Sequence, residues 1–400
     1  MRALKWVLLG LGSIVALAVV GVLVIVWFVD PNRFKPRIEA AVKDATGRDF
    51  SLEGDIKLGF VPWLALRAGA GHLGNAADFG PEPMLTWQSA QLGAKLFPLL
   101  RGELIVDRVR LSGGDMRLAR HADGRANWEG LLREDPKAAS PRERLVGVAG
   151  VEIADSRISF GDESAPRRVA VTAFNLTTDE IAPGEPLTDT EISGVLHMDG
   201  FIAAGVPFRI AIPRATLARD YSKIEVKEYE IAFGDLTAAG GVGGTLGAKP
   251  RLAGAIKTNE FDPRALLAAV GIEAPKTTDA KALGKFGIEG AWVFEGGAIG
   301  IEPFALTLDD THFTGKFQRS AGDDAIGEFA LRADRLDIAR YIPPTDPAAK
   351  PFVLPTAALK ALKFRGQLEL GEATLDDIVM KGVTVRLLLD DHGLRSETRP

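Results

Sequence analysis

Three hydropathy patterns follow one another along the chain. Residues 6–29, WVLLGLGSIVALAVVGVLVIVWFV, carry no charge. Residues 33–46 change to a helical period, with Phe34, Ile38 and Val42 at i, i+4 and i+8. From Phe50 onward the period is two, the signature of half-buried strands.

The first pattern predicts a transmembrane anchor over residues 1–29. A helix needs about 20 apolar residues to cross the hydrocarbon core. Trp6 and Trp27 stand near the ends of the run, where indole rings favour the interface. A cleaved signal peptide has an apolar region of only about 7–15 residues and a small-residue cleavage site. The run is longer than that, and Trp27-Phe28-Val29 is a poor site. The second pattern predicts a helix entered through Asp30 as cap and Pro31 in the first turn, and stopped at Thr46-Gly47. Its narrow apolar stripe suits packing on the first strands, and its place after the anchor suits the membrane interface. The interface candidates are Trp6, Trp27, Phe34, Ile38 and Val42. Basic residues flank the run on both sides and do not orient it, because long domains translocate largely regardless of charge.

The third pattern is carried by pairs and triplets such as Ile56, Leu58 and Phe60; Met116 and Leu118; Phe286 and Ile288; Phe304 and Leu306; Phe317; and Val385 and Leu387. Roughly twenty strands are expected. Helical signals are confined to 33–46, 263–270, 337–341 and 356–362. Without βα alternation the fold is mainly β: an N-terminal transmembrane helix, then an elongated, largely antiparallel curled sheet with a few short helices. Twenty strands at about 4.8 Å would make a sheet about 100 Å long. So long a sheet either folds into sandwiches or curls into a half-pipe, a β-groove with its apolar face inward. Two Pro-containing stretches, 133–144 and 341–355, punctuate it. The expected organisation is therefore an anchor (1–29), a helix with a first β-groove module (30–132), a linker (133–146), a middle module (147–345) and the start of a further, incomplete module (346–400). A faint echo links DPNRFKPRIEAAV at 30 with DPRALLAAVG at 262: two Asp-Pro-capped helices feeding strands.

Composition narrows the function. The net charge is −5, with no basic stripe for nucleic acid. Cysteine is absent, which removes disulfides, zinc–cysteine sites and thiol chemistry. GAGHLG (69–74) matches a dinucleotide fingerprint, but Asn75, Gly80, Pro81 and Pro83 follow where a helix would have to start, so its glycines serve a tight bend. The five histidines, His72, His121, His197, His312 and His392, are not spaced for a metal. Acidic pairs at Asp309-Asp310, Asp323-Asp324, Asp376-Asp377 and Asp390-Asp391 each fall where a strand meets a turn, a common place for solvated Asp. No catalytic, metal or cofactor site is expected, and the chain does not read as an enzyme.

Several stretches resemble one family. They are the anchor followed by VDPNRFKPRIEAAVKDATGRDFSLEGDIKLGFVPWLAL, then LGNA, FPLLRGELIVDRVRLSG and LARHADGRANWEGL, with later FDPRALLAAVGIEAPKTTDAKAL, LTLDDTHFTGKF, LRADRLDIARYIPP and LKFRGQLELGEATLDDIVMKGVTVRLLLDDHGL. Together they resemble the AsmA family of two-membraned bacteria. The resemblance implies a single-pass inner-membrane protein with its body in the periplasm. It also implies kinship with bridge-like lipid transfer proteins, whose repeating β-groove shields acyl chains from water. Family members usually continue past the DDHGL region, whereas this chain stops at RSETRP.

The sequence thus points to a lipid-transfer or lipid-homeostasis protein between inner and outer membrane, with phospholipids of the inner membrane as partners. The groove candidates are Ile56, Leu58, Phe60, Met116, Leu118, Phe286, Ile288, Phe304, Leu306, Phe317, Val385 and Leu387. The alternative is a periplasmic scaffold for outer-membrane proteins, whose exposed sheet edge would accept a client strand. An outer-membrane or periplasmic protein partner fits either reading.

Overall fold

The structure, a computed structural model, describes residues 30–59, 64–94, 106–131, 150–179, 181, 185–322, 325–342, 363–390 and 393–399. The expected anchor with Trp6 and Trp27, the strand residue Phe60, the linker 133–146 and the helix at 356–362 lie outside the described residues. Among the described residues no helix is long and apolar enough to cross a membrane. The chain is mainly β and divides into two compact units, residues 1–166 and 167–400.

The first unit begins with a 3₁₀ turn, Pro31–Phe34, that runs into α1 (Lys35–Thr46). Asp30 caps the turn by accepting from the Asn32 N–H at 3.0 Å, and Gly47 ends α1 at φ +69°. Four long strands follow, each broken into two halves. They are β1 (Phe50–Leu52) with β2 (Ile56–Gly59), β3 (Leu64–Ala68) with β4 (Gly71–Leu73), β5 (Leu85–Trp87) with β6 (Ser89–Ala94), and β7 (Val106–Ser112) with β8 (Asp115–Arg120). The halves pair antiparallel with the matching halves of the next strand, so the breaks line up across the sheet. Backbones touch along that line. A Cβ on Gly54 would fall 2.5 Å from the Gly69 Cα. Gly69 belongs to GAGHLG, whose glycines therefore serve a bend. β9 (Gly150–Asp162) closes the unit parallel to both β7 and β8.

Inside the bend, Leu52, Ile56 and Trp87 form a buried cluster, with Ile38 of α1 packed against it. α1 also occupies the outer edge of the first strand. The Asn32 side chain accepts from the Ile56 N–H at 2.9 Å and donates to the Ile56 carbonyl at 3.3 Å, and Glu39 accepts from the Leu52 N–H at 2.9 Å. An open strand edge is a template for further pairing, and here side chains satisfy it. The chain turns at Asp123-Gly124, but the returning segment pairs only briefly. Arg120 bridges Ala126, but 127–130 is a turn. Asn127 is wholly buried there, donating to the Arg117 carbonyl and accepting from the Ala119 N–H.

The second unit is a meander. β10 (Ala165–Thr178), β11 (Leu187–Met198), β12 (Ile202–Leu217), β13 (Lys223–Phe233), β14 (Leu236–Thr245), β15 (Arg251–Thr258), β16 (Phe286–Glu295), β17 (Ala298–Leu308), β18 (Thr311–Arg319) and β19 (Gly327–Asp337) each pair antiparallel with the next. Then β20 (Phe364–Leu375) joins β19 in parallel, and β21 (Ile378–Asp390) and β22 (Gly393–Arg399) resume the antiparallel order. Both parallel joints, β8 to β9 and β19 to β20, follow the Pro-containing stretches. Bulges interrupt the register between Leu196 and Met198, Val226 and Tyr229, Gly290 and Trp292, and Ile301 and Phe304. Each bulge adds local twist and bends its strand, the usual means by which a long sheet curls. Between β15 and β16, α2 (Pro263–Ala269) repeats the first helix's entry: Asp262 accepts from the Arg264 N–H at 2.8 Å. The helical signal at 337–341 resolves to a single 3₁₀ turn, Ala339–Tyr341, because β19 runs to Asp337.

Candidate functional site

Period two in β15–β21 sorts the side chains onto two different faces. One is charged. Arg251 stands opposite Glu295, Lys257 opposite Glu289, Arg332 opposite Glu369 and Arg365 opposite Glu328, each as a cross-strand ion pair. All are exposed, so they add solubility more than stability.

The other face is apolar and runs in rows across the strands. Trp292 stands between Gly254 and Ile301, Ile301 faces Phe317, Phe317 faces Phe329, and Gly366 separates Phe329 from Leu387. The next row is Ile256, Gly290, Phe304, Gly315, Leu331, Leu368 and Val385. A third holds Ile288, Leu306, Phe313, Ala333, Leu370 and Val383. Seven strands at about 4.8 Å make such a row about 29 Å long.

Large rings alternate with glycine in these rows, and the rings lie over the glycines. A Cβ on Gly366 would meet the Phe329 ring at 2.5 Å, and the Phe329 and Phe364 rings pack edge to face at 5.8 Å. Tyr229 of β13 crosses Gly240 and donates to the Ala255 carbonyl of β15 at 3.3 Å. Burial pushes its phenol above the ordinary value, against a hydrogen bond from Trp292. The apolar face therefore has a paved floor.

The face is closed at one place and open elsewhere. Ala333, Leu370, Ala373 and Val383 are buried, with Phe313, Leu368 and Val385 packed against them. On β15–β18 no large apolar side chain is buried. Leu252, Ile256, Phe286, Ile288, Trp292, Phe304, Leu306 and Phe317 all keep part of their surface in solvent. An open cavity of about 720 Å³ lies against the same strands, but charged-face residues contribute much of its lining: Lys257, Glu289, Ala255, Ala291 and Ala305 line it together with Ile256 and Phe304. That volume is in the range of ligand pockets.

The groove candidates separate accordingly. Phe286, Ile288, Phe304, Leu306, Phe317 and Leu387 are brought onto one half-buried face of the second unit. Val385 shares that face but packs on its closed part. Met116 and Leu118 are half-buried on β8. Ile56, 2% exposed beneath α1, is closed core and offers no surface to a ligand. The Leu58 side chain and Phe60 lie outside the described residues. Of the interface candidates, Phe34 is exposed, while Ile38 is turned into the Leu52–Ile56–Trp87 cluster and Val42 is half-buried. Among the described residues no three His, Asp or Glu converge on a metal position.

Sequence reasoning missed three polar nodes. Asp309, expected to be solvated, is 7% exposed. It accepts from the N–H groups of Leu283, Gly284 and Lys285 and from the Tyr341 hydroxyl. Arg48 is buried and donates to the carbonyls of Asn127 and Glu129, and Asn127 is buried with it. Trp292 and Ile256, which floor the apolar face, belong with the groove candidates; their alternation was legible but broken by glycines.

Comparison with known proteins adds identity to geometry. The sequence model of the AsmA family matches residues 1–205. The AsmA family protein YhjG of Escherichia coli (strain K12) is 24% identical over 243 residues, covering 50% of this chain and 35% of that protein. The match thus spans about a third of the length of the curated relative. No solved structure matches.

Proposed function

This chain belongs to the AsmA family, and on that premise we propose that it is a membrane-anchored lipid-transfer protein that shields phospholipid acyl chains on its apolar sheet face. One observation carries the reading: across β15–β18 no large side chain of the apolar face is buried, over a floor of glycines and aromatic rings. Covering such a surface with acyl chain releases about 25 cal/mol for each Å² removed from water. The contacts are non-directional, so a chain can slide from one row to the next without a large barrier. Head groups remain outside, in solvent. The reading places residues 6–29 in the inner membrane and the body in the periplasm, with no catalytic step.

The scaffold alternative needs a free strand edge. At β1–β2 that edge is taken by Asn32 and Glu39, which weighs against client pairing there.

The test is photocrosslinking in the full chain within its own membrane. Phe304 replaced by a benzophenone amino acid should yield a phospholipid adduct on irradiation, identified by mass spectrometry. The same probe at Lys316, on the charged face, should not. No lipid adduct at 304, or equal adducts at both positions, overturns the reading.

A further inference from the structure

The 3₁₀ turn and the first turn of α1 concentrate positive charge. Arg33, Lys35 and Arg37 fall within five residues. None forms an ion pair with a carboxylate among the described residues. The neighbouring acids are engaged or distant. Asp30 accepts from Asn32 and feels Arg33 and Lys35 only through space, Glu39 accepts from the Leu52 N–H, and Asp49 pairs with Lys43 at 2.7 Å beyond the other end of the helix. Asp44 lies near that far end too. Between the cations, Phe34 is 44% exposed. Behind them Ala40, Ala41 and Ala45 are exposed small residues, with Lys43 and Asp44 exposed beside them toward the far end of the helix. Ile38 faces the other way, into the core cluster.

We propose that this end of α1 is a docking surface for an anionic phospholipid bilayer, with Arg33, Lys35 and Arg37 on the phosphates and Phe34 at the level of the head groups. The occupant follows from charge and from chain continuity. The uncharged run ends at Val29, four residues before Arg33, so a membrane crossed by that run lies within reach of these side chains. The proposal rests on the reading of residues 6–29 as a span. Its consequence is orientation. α1 is tied to the first strand by Ile38, Asn32 and Glu39. A docked helix would therefore set the β1–β2 edge of the first unit against the bilayer rather than leave it to swing on its anchor.

The chain contains no cysteine, so Ala41→Cys provides a unique nitroxide site on the full chain. The chain is reconstituted into nanodiscs of phosphatidylcholine with or without phosphatidylglycerol, and the label's accessibility to oxygen and to a water-soluble nickel complex is read by EPR. The expected result is a shift toward oxygen accessibility in phosphatidylglycerol discs, reversed by salt. Each of Arg33→Gln, Lys35→Gln and Arg37→Gln should lower the docked-to-undocked ratio roughly fivefold. Lys43→Gln, at the opposite end, should leave it unchanged. Equal accessibility in both lipids, or a triple variant indistinguishable from the parent, overturns the docking surface and leaves the span intact. A chain that does not enter the discs overturns both.

Discussion

The indole of Trp292 lies across Gly254 on the neighbouring strand, so close that a Cβ at 254 would stand 2.9 Å from the ring's Cζ2 and 2.1 Å from the Gly241 carbonyl oxygen. Glycine is there because ring and backbone already fill the position. The pairing turns two poor strand residues, a bare glycine and an outsized ring, into one smooth patch of apolar floor.

Gly254→Ala therefore forces backbone or ring to move and should destabilise the chain by about 1–3 kcal/mol. Gly300, on β17, has nothing within 4 Å of the corresponding position. Gly300→Ala should be neutral or slightly stabilising, since alanine loses less chain entropy than glycine. Chemical denaturation of the two variants against the parent checks both. Equal effects would mean that the Trp292 contact does not govern this strand pair.

How much of this was readable beforehand depends on the kind of interaction. Parity was: Phe286, Ile288, Phe304 and Leu306 share a face because alternation alone decides it. Helix entry was as well, because Asp30-Pro31 and Asp262-Pro263 act within a few residues. Parallel joining of β19 and β20 was not, since parallel and antiparallel neighbours show the same period. Nor was the fate of individual apolar residues. Leu306 and Leu370 read alike, yet Leu370 is 3% exposed because Ala333, Ala373 and Val383 close around it. Arg48 and Asn127 escaped notice because the contact that buries them joins residues 79 apart in sequence, which no local pattern records.

α1 holds the sheet edge through polar side chains, and this has a local readout. Asn32→Ala removes the acceptor of the Ile56 N–H, at a cost of about 1 kcal/mol. Hydrogen exchange should accelerate at Ile56 and leave Val109, in the interior of the same sheet, unaffected. Glu39→Ala should do the same at Leu52. If neither amide changes, water already serves that edge and α1 is held by Ile38 alone.

Asp309 ties the 283–285 loop to Tyr341. Burial raises its carboxyl, but hydrogen bonds from the Tyr341 hydroxyl and from the Leu283, Gly284 and Lys285 amides outweigh that and hold it below its ordinary value of 3.8. A carboxyl depressed by folding contributes stability that is complete above its unfolded value and is lost as pH falls through the folded one. Asp309→Asn should cost about 1–3 kcal/mol near neutral pH. The difference from the parent should shrink once the pH falls well below about 3.8. Thermal unfolding across that range decides it. A gap that stays constant with pH would show that the charge contributes nothing and only the shape of the side chain matters.

The sharpest prediction sets Leu306 against Leu370. Both lie in the same apolar row of β16–β21. Leu306 is half-buried between Ile288 and Phe313, outside either buried cluster. Leu370 is inside one. An arginine at 306 can turn its guanidinium to water along the open face, so Leu306→Arg should cost little stability, under about 2 kcal/mol. It would still put a charge in the path of an acyl chain, where an unpaired ion is strongly disfavoured. The lipid adduct at Phe304 should disappear from a folded protein. Leu370→Arg must bury the same charge among Ala333, Ala373 and Val383 and should prevent folding of that region, a loss above about 4 kcal/mol. Circular dichroism and protease resistance separate the two cases. If Leu306→Arg unfolds the chain as Leu370→Arg does, the face at β16–β18 is closed core and cannot carry lipid. If it folds and still crosslinks lipid, acyl chains do not pass over this row.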